Sequence, residues 1–239
     1  MRSIAITGVP DFSFAGLARV PFPEDFQIFM FALLLLGFGS LLSMWPFHSW
    51  SPDGYAGAPT AVSMIHAGVL KKIGGYGLIK IAVYTLPVGA KFWAPVIAIL
   101  GVAGVAYAAI AALAQKDLKY VVGYSSVSHM GYVLLGVASL NVIGINGAIA
   151  NMFGHGIMAA LFFSTIGFIY EKTHSRWIPD FGGLIQQMPR LGVAFMLAGL
   201  ASLGLPGLVS FIPEFTIFVG SFQVYGGLAV VGIAGIILT

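Results

Sequence analysis

The chain has 239 residues, of which 59% are hydrophobic and only 8% are charged, whereas soluble domains carry roughly 25% charged residues. This composition excludes an ordinary water-soluble enzyme. The net charge of +3 comes from basic residues that stand mostly singly between apolar runs, which excludes the clustered basic surface of a nucleic-acid-binding protein. Because cysteine is absent, the chain has no disulfide and no thiolate metal site. We therefore predict an all-α, polytopic transmembrane helix bundle without a nucleic-acid partner.

Apolar runs long enough to span a bilayer, about 20 residues each, divide the chain. Prolines and charged residues interrupt residues 1–26, which predicts an interfacial N-terminal segment. Five spans are then predicted, at Gln27–Trp45, Thr60–Tyr84, Ala94–Ala114, Leu118–Leu140 and Gly144–Tyr170. The polar and aromatic stretch Phe47–Pro59 predicts a broken extension of the first span. A longer polar loop, Glu171–Arg190, follows the fifth span.

The last third of the chain predicts a discontinuous helix. Leu191–Phe222 is too long for one straight span and is interrupted at Pro206 and Pro213, so we expect two half-helices. The final apolar run, Gly226–Thr239, is too short to cross a bilayer by itself. We therefore expect the chain to be a fragment of a longer protein, or to be completed by neighbouring subunits.

Two ionisable residues inside these spans are costly, because a charge at mid-membrane costs about 2.5–3.5 kcal/mol on insertion scales. Lys72 lies within the second span beside Lys71, and adjacent helical residues point about 100° apart, so we expect the two amines to have different partners. Glu214 directly follows Pro213 in the broken span, and half-helix ends are recurrent ion sites in transporters. The alternative for Lys72 is a structural lysine paired with a carboxylate elsewhere.

Two histidines inside spans complete the pattern. Ser125 and His129, and likewise Asn151 and His155, are four residues apart, so each pair forms a polar stripe on an apolar helix. An imidazole there can pass protons near neutral pH or simply bond a neighbouring helix. A row of Lys, His and Glu, one per helix, is the composition of a proton relay. The predicted relay is Lys72, His129, His155 and Glu214, with Lys71, Lys119 and His66 as candidate accessory residues.

Five strings carry these residues in a fixed order. They are PFHSWSPDGYAGAPTAVSMIHAGVLKKIGGYGLIK (46–80), DLKYVVGYSSVSHMGYVLLG (117–136), FGHGIMAALFF (153–163), YEKTHSRWIPDFGGL (170–184) and GLPGLVSFIPEFTIFVGSF (204–222). Together they resemble the antiporter-like subunits of respiratory complex I. Within that family they resemble the M type, called subunit 4 in mitochondria, because the broken helix carries Glu214 where paralogous subunits usually have Lys.

The resemblance implies a partial inverted-repeat antiporter-like fold, in which residues 27–84 end a first repeat and residues 94–239 form the second. It implies a proton-translocating subunit of an NADH:quinone oxidoreductase, with Lys72 as the central connecting residue and Glu214 as the terminal carboxylate. No cofactor and no soluble substrate are expected on this chain. The expected partners are other membrane subunits and lipid, in a bacterial-type plasma membrane or an energy-transducing organelle membrane.

One departure from the family pattern concerns the first half-channel. The family places a lysine five residues before the proline of PFH, and this chain has Leu41 there. The glutamate that partners this lysine in the family belongs upstream of residue 1. The resemblance therefore implies that this chain alone does not assemble the first half-channel.

Three alternatives remain open at this stage. The same strings occur in the D-type subunit of multisubunit sodium/proton antiporters and in membrane-bound hydrogenases. The second alternative is a non-pumping structural subunit, which lost transport together with the family's lysine at the position of Leu41. A membrane cytochrome is the third, with b-type haem held by pairs among His48, His66, His129 and His155.

Overall fold

The N-terminal region is helical earlier than hydropathy indicates. The computed structural model describes residue 11 and residues 13–238, the last three by their backbone alone, so residues 1–10 and 12 of the predicted interfacial segment 1–26 lie outside the described residues. Its described part contains α1 (Phe14–Ala18) and the start of α2 (Glu24–Leu42). Two acidic residues open α2, where the positive end of the helix dipole stabilises them.

The first span, α2, is displaced from the prediction, which placed it at Gln27–Trp45. It ends at Leu42 because Ser43 adopts a left-handed conformation with φ 65°. Two backbone bonds close this end, from Met44 N to Gly39 O (2.8 Å) and from Ser43 N to Ser40 O (3.0 Å), the pattern of a Schellman cap. The short helix α3 (Trp50–Gly57) follows, so the predicted break is confirmed; it covers residues 43–49 and begins before Pro46.

The second span is continuous but mixed in type. Helix α4, residues 60–83, consists of α-helical segments Thr60–Ile65 and Lys71–Gly77 that alternate with π-helical segments His66–Leu70 and Leu78–Val83. π-Helical turns are rare and are frequent at functional sites. Here they lie on both sides of the two adjacent lysines.

The next three helices are long and tightly packed. They are α5 (Pro87–Leu113), α6 (Leu118–Ala138) and α7 (Val142–Thr173). Helix α5 begins seven residues before the predicted Ala94, because hydropathy marks only the apolar part of a helix whose first turns carry the exposed Lys91. Gly101 and Gly131 allow α5 and α6 to approach closely, since a β-carbon on either would lie 2.5–2.9 Å from the other's carbonyl oxygen.

The last part of the chain contains the predicted discontinuity. After α8 (Leu184–Gln187) come α9 (Pro189–Ser202), a non-helical break over residues 203–210, and α10 (Phe211–Leu238). Tyr225 has non-helical dihedral angles (φ −129°, ψ 52°), so a kink divides α10 directly before the predicted separate run Gly226–Thr239. The described part of that run is helical.

Five described helices are long and apolar enough to cross a membrane, namely α2, α5, α6, α7 and the segment Phe211–Gly235 of α10. Helix α4 has a similar length but is divided by its π-helical turns. Helix α6 is the most buried of the five and contacts α3, α5, α7 and α10. Helix α7 in turn contacts α4, α9 and α10, so the interior between α4, α6, α7 and the break is where polar groups from separate helices meet.

Candidate functional site

A line of four ionisable side chains crosses this interior. Lys72 Nζ lies 2.8 Å from Nδ1 of His155. The rings of His155 and His129 follow, with centroids 5.3 Å apart. Nδ1 of His129 lies 3.2 Å from Oε1 of Glu214. Helices α4, α7, α6 and α10 each supply one member, and the structure thus brings the four residues of the predicted relay together.

The polar stripes on α6 and α7 support the two histidines. Ser202 is the last residue of α9. Its Oγ lies 3.1 Å from Nε2 of His129 and 3.3 Å from Oγ of Ser125. The side chain of Asn151 donates to the carbonyl oxygen of His129 at 3.5 Å. The stripe on α6 therefore contacts the end of α9, and the stripe on α7 contacts α6 at His129.

The break between α9 and α10 positions the carboxylate. Glu214 lies in the first turn of α10, where the helix dipole stabilises negative charge. Gly204 in the break has φ +63°, and a β-carbon there would lie 2.5 Å from Oε2 of Glu214. The backbone thus passes against the carboxylate at a distance that only glycine allows, and the side chain is 3% exposed.

The hydrogen bonding of the line is incomplete. His129 Nδ1 and Glu214 Oε1 are within ion-pair distance, but they are not aligned for a hydrogen bond. Nε2 of His155 and Oδ1 of Asn151 are also buried without a direct partner among the described residues. Buried polar groups normally have a protein or water partner, so these atoms are the polar positions of the line that the described protein groups leave unsatisfied.

Lys72 does not have the partner that a structural lysine needs. No carboxylate of the described residues lies within ion-pair distance of its amine. Its contacts are His155 and the carbonyl oxygen of Ala67, one turn earlier in α4. The alternative of a lysine paired with a buried carboxylate is therefore not met within the described part of this chain.

Both ends of the line open into apolar clefts. Lys72 lines a cleft of about 580 Å³ between α4 and α7. Glu214 lines a second cleft, of about 590 Å³, formed by the break and by apolar side chains of α10 such as Phe215 and Phe222. The interior line therefore connects two separate openings on the surface of the chain.

The three candidate accessory residues lie apart from this line. Lys71 points toward α3 and α6, away from His155, so the two adjacent amines have different partners as expected. Lys119 donates to the carbonyl oxygen of Ala58 at 2.6 Å, at the C-terminal end of α3, where a cation is stabilised. His66 packs against the aromatic rings of α3.

The histidines do not fit the haem alternative. The rings of His129 and His155 are inclined at 62° and are too close for a porphyrin between them. Their nitrogens face Ser202, Glu214 and Lys72 instead. His48 lies against Tyr107 and Tyr124, so it does not face another histidine across a haem-sized space.

Sequence reasoning missed the hydroxyl groups that complete the site. Ser202 bonds His129, and both Ser51 and Ser126 bond Lys71. Serine is common in membrane helices as a contact residue, so its presence alone gives no signal. Ser202 could have been found only from its position at the end of a half-helix, directly before the predicted break.

Comparisons with known proteins identify the family of the chain. The family described as "NADH:quinone oxidoreductase/Mrp antiporter, TM" matches residues 6–239. NAD(P)H-quinone oxidoreductase chain 4 of Synechococcus sp. (strain JA-2-3B'a(2-13)) is 42% identical over 232 residues, which cover 94% of this chain and 44% of the relative. NADH-quinone oxidoreductase subunit M of Rhodobacter capsulatus is 39% identical over 213 residues, which cover 89% and 42%.

The solved structures show the same fold. A chain of respiratory complex I from Thermus thermophilus with bound NADH superimposes with a TM-score of 0.93 at 27% identity, covering 99% of this chain and 50% of that one. The coverages of 44% and 42% given above mean that the chain spans less than half the length of the two curated relatives. The names of these two relatives, chain 4 and subunit M, confirm the resemblance to the M-type subunits. This integral, multi-pass membrane chain belongs to the family of NADH:quinone oxidoreductase and Mrp antiporter transmembrane subunits.

Proposed function

We propose that this chain is a proton-translocating membrane subunit of a complex I-type quinone oxidoreductase. The observation that carries the proposal is the continuous line from Lys72 through His155 and His129 to Glu214, buried between apolar helices and open to a cleft at each end. Ionisable residues at membrane depth usually mark an ion or proton pathway. The names of its relatives, subunit M and chain 4 of quinone oxidoreductases, support the same assignment.

The geometry allows a stepwise transfer along the line. A proton that leaves Nζ of Lys72 binds Nδ1 of His155, which is within hydrogen-bond distance. Protonated His155 releases its other proton, from Nε2, toward His129, whose ring lies next to it. Nδ1 of His129 then donates to the carboxylate of Glu214. Each step leaves the donor neutral and charges or neutralises the next group, so no redox chemistry is needed on this chain.

The driving force is electrostatic and comes from neighbouring subunits of the complex. A change of charge next to this chain alters how strongly Lys72 holds its proton, because interactions between charges are strong where water is scarce. The partners in this proposal are the other membrane subunits, and the cofactors that carry electrons belong to those parts of the complex. The solved relative comes from such an assembly, respiratory complex I.

The experiment that tests the proposal replaces Glu214 with Gln in the assembled complex. We expect quinone reduction to continue while proton translocation per electron falls, because an amide cannot take up and release the proton. The measurement is proton uptake into proteoliposomes relative to electron transfer. Glu171→Gln, an exposed carboxylate on α7, is the matched control and should leave the ratio unchanged. Unchanged translocation in Glu214→Gln would favour the non-pumping structural alternative.

A sodium/proton antiporter subunit is a second candidate, because the family description names Mrp antiporters together with quinone oxidoreductases. The line itself favours protons, since its members are amine and imidazole groups with one carboxylate, whereas sodium prefers several oxygen ligands. Transport that depends on sodium at constant pH would support the antiporter candidate. Transport that is independent of sodium would support the first proposal.

A further inference from the structure

Lys71 is a fully buried amine that the proposed line does not use. It is 0% exposed. Its Nζ donates to Oγ of Ser126 at 3.1 Å and to Oγ of Ser51 at 3.4 Å, and it lies 5.7 Å from the centre of the Tyr55 ring. Two hydroxyl groups from α6 and α3 and one aromatic face thus enclose the amine.

No acid faces this amine among the described residues. The titratable groups within electrostatic range are His48 and Tyr55 from the α2–α3 region, His66 and Lys72 of α4, and His155 of α7. A buried charge without a counter-ion is strongly disfavoured, and serine hydroxyls and a ring face offset only part of this penalty. Because the amine is sealed inside this chain, a neighbouring subunit cannot supply a carboxylate to it directly.

The position of Lys71 couples it to the beginning of the line. It is adjacent in sequence to Lys72, and the two amines point into different environments of the same helix. Each of the two amines lies within electrostatic range of the other. Like charges repel strongly in a water-poor interior. Simultaneous protonation of both amines is therefore disfavoured. When one amine is protonated, the other amine binds its proton more weakly.

We propose that Lys71 is a second proton-binding site, which takes up a proton from the side of α3 and drives the proton of Lys72 into the line by like-charge repulsion. This inference rests on the proposed function. In each cycle the neutral amine of Lys71 becomes an ammonium and Lys72 loses its proton to His155; Lys71 then returns its proton to the side of α3, and Lys72 takes up a new proton from the cleft that it lines. No bond other than N–H and O–H bonds forms or breaks, and no oxidant or reductant takes part.

The test uses the assembled complex in proteoliposomes, three test substitutions in α4 and one control substitution in the same helix. Lys72→Met defines the share of proton translocation that depends on this chain. We expect Lys71→Met and Lys71→Arg each to remove most of that share while electron transfer continues. The arginine variant retains a cation but does not release its proton, so it separates proton exchange from a fixed charge. Lys80→Met, an exposed lysine of the same helix, should behave as the unsubstituted protein.

The outcomes of this test are distinct. Wild-type translocation in either Lys71 variant, with translocation lost in Lys72→Met, would overturn the role of Lys71 and leave the proposed function intact. Wild-type translocation in Lys72→Met would instead count against the proposed function, and the inference about Lys71 would fail with it. Loss in all three variants, with Lys80→Met unaffected, supports the inference.

A milder pair of variants covers the case in which the Lys71 variants do not assemble. Ser126→Ala removes one of the two hydroxyl acceptors of the Lys71 amine, whereas Ser128→Ala removes a buried hydroxyl on the same helix that bonds only Val105 O. We expect the alkaline limb of the pH profile of translocation to move to lower pH in Ser126→Ala, by about one pH unit. Ser128→Ala should not move it. Equal profiles in the two variants would overturn the inference.

Discussion

At the scale of single residues, the site depends on side chains that are buried but incompletely bonded. His129 and His155 are each 1% exposed, and each has a ring nitrogen without an aligned partner among the described residues. In a structural core such atoms are costly. In a path for protons they are useful, because a group whose bonds are all satisfied by the protein has no position free to accept the next proton.

Gly204 provides a prediction at this scale. We expect Gly204→Ala to displace the carboxylate of Glu214 from His129, since the new methyl group would lie 2.5 Å from Oε2. The left-handed conformation adds roughly 1–2 kcal/mol of strain. Proton translocation per electron, measured in the assembled complex, should therefore fall together with a small loss of thermal stability.

The control for this variant is Gly207→Ala in the same break. Gly207 has φ +92°, so alanine is strained there as well, but a β-carbon would meet nothing within 4 Å. We expect stability to fall while translocation is retained. Equal loss of translocation in both variants would show that backbone strain, and not the position of the carboxylate, explains the effect.

At the scale of secondary structure, the two helices that carry the ends of the line are irregular, or preceded by a break, close to those ends. Helix α4 changes between α and π geometry around Lys72, and Glu214 follows a break of eight residues. Such irregular backbone is tolerated at membrane depth where other protein segments or a cavity cover it. The regular helices α6 and α7 contribute only their polar stripes.

Asn141 connects two of these elements and gives a prediction at this scale. Its Oδ1 accepts from Gly144 N at 2.8 Å and caps α7, and its Nδ2 donates to Gly220 O of α10 at 2.8 Å. We expect Asn141→Ala to lower the stability of the chain by about 1–2 kcal/mol, because it loses the cap and the link between the helices of His155 and Glu214.

The measurement for Asn141→Ala is the thermal unfolding of the detergent-solubilised complex. Asn146→Ala is the matched control, since Asn146 lies on the exposed face of the same helix one turn later. A midpoint in Asn141→Ala as high as that in Asn146→Ala would contradict the proposed link between α7 and α10.

At the scale of the whole molecule, the line joins two clefts that belong to different parts of the chain. One cleft lies between α4 and α7, and the other lies at the break between α9 and α10. Large apolar side chains remain exposed along α4 and α10, including Ile65, Val69, Phe215 and Phe222. In a multi-pass membrane protein, lipid or neighbouring subunits cover such surfaces.

A double substitution tests whether the line acts as one path. If Lys72 and Glu214 are its two ends, Lys72→Met and Glu214→Gln together should reduce translocation no more than the more severe single variant does. Residues that act as one unit are strongly non-additive. The measurement is the ratio of proton translocation to electron transfer in the four combinations. Losses that multiply would indicate two independent paths, and the pair Lys80→Met and Glu171→Gln controls for the change in charge.

The sequence alone was sufficient for the fold class and for four of the long apolar helices, α2, α5, α6 and α7, and it singled out the four ionisable residues that the structure brings together. This follows because a bilayer tolerates few charges, so that a Lys, His or Glu within an apolar run stands out by its cost. Helix ends were predicted less well. Hydropathy does not detect the left-handed turn at Ser43 or the start of α5 at Pro87.

Only the tertiary structure decided which of these residues meet. Lys72 and His155 are 83 positions apart in the chain, and their contact depends on the packing of α4 against α7, which no local pattern specifies. The same packing turns the neighbouring Lys71 into a cage of hydroxyl groups from α3 and α6. Two identical side chains therefore acquire different chemistry, because adjacent positions on a helix face different neighbours.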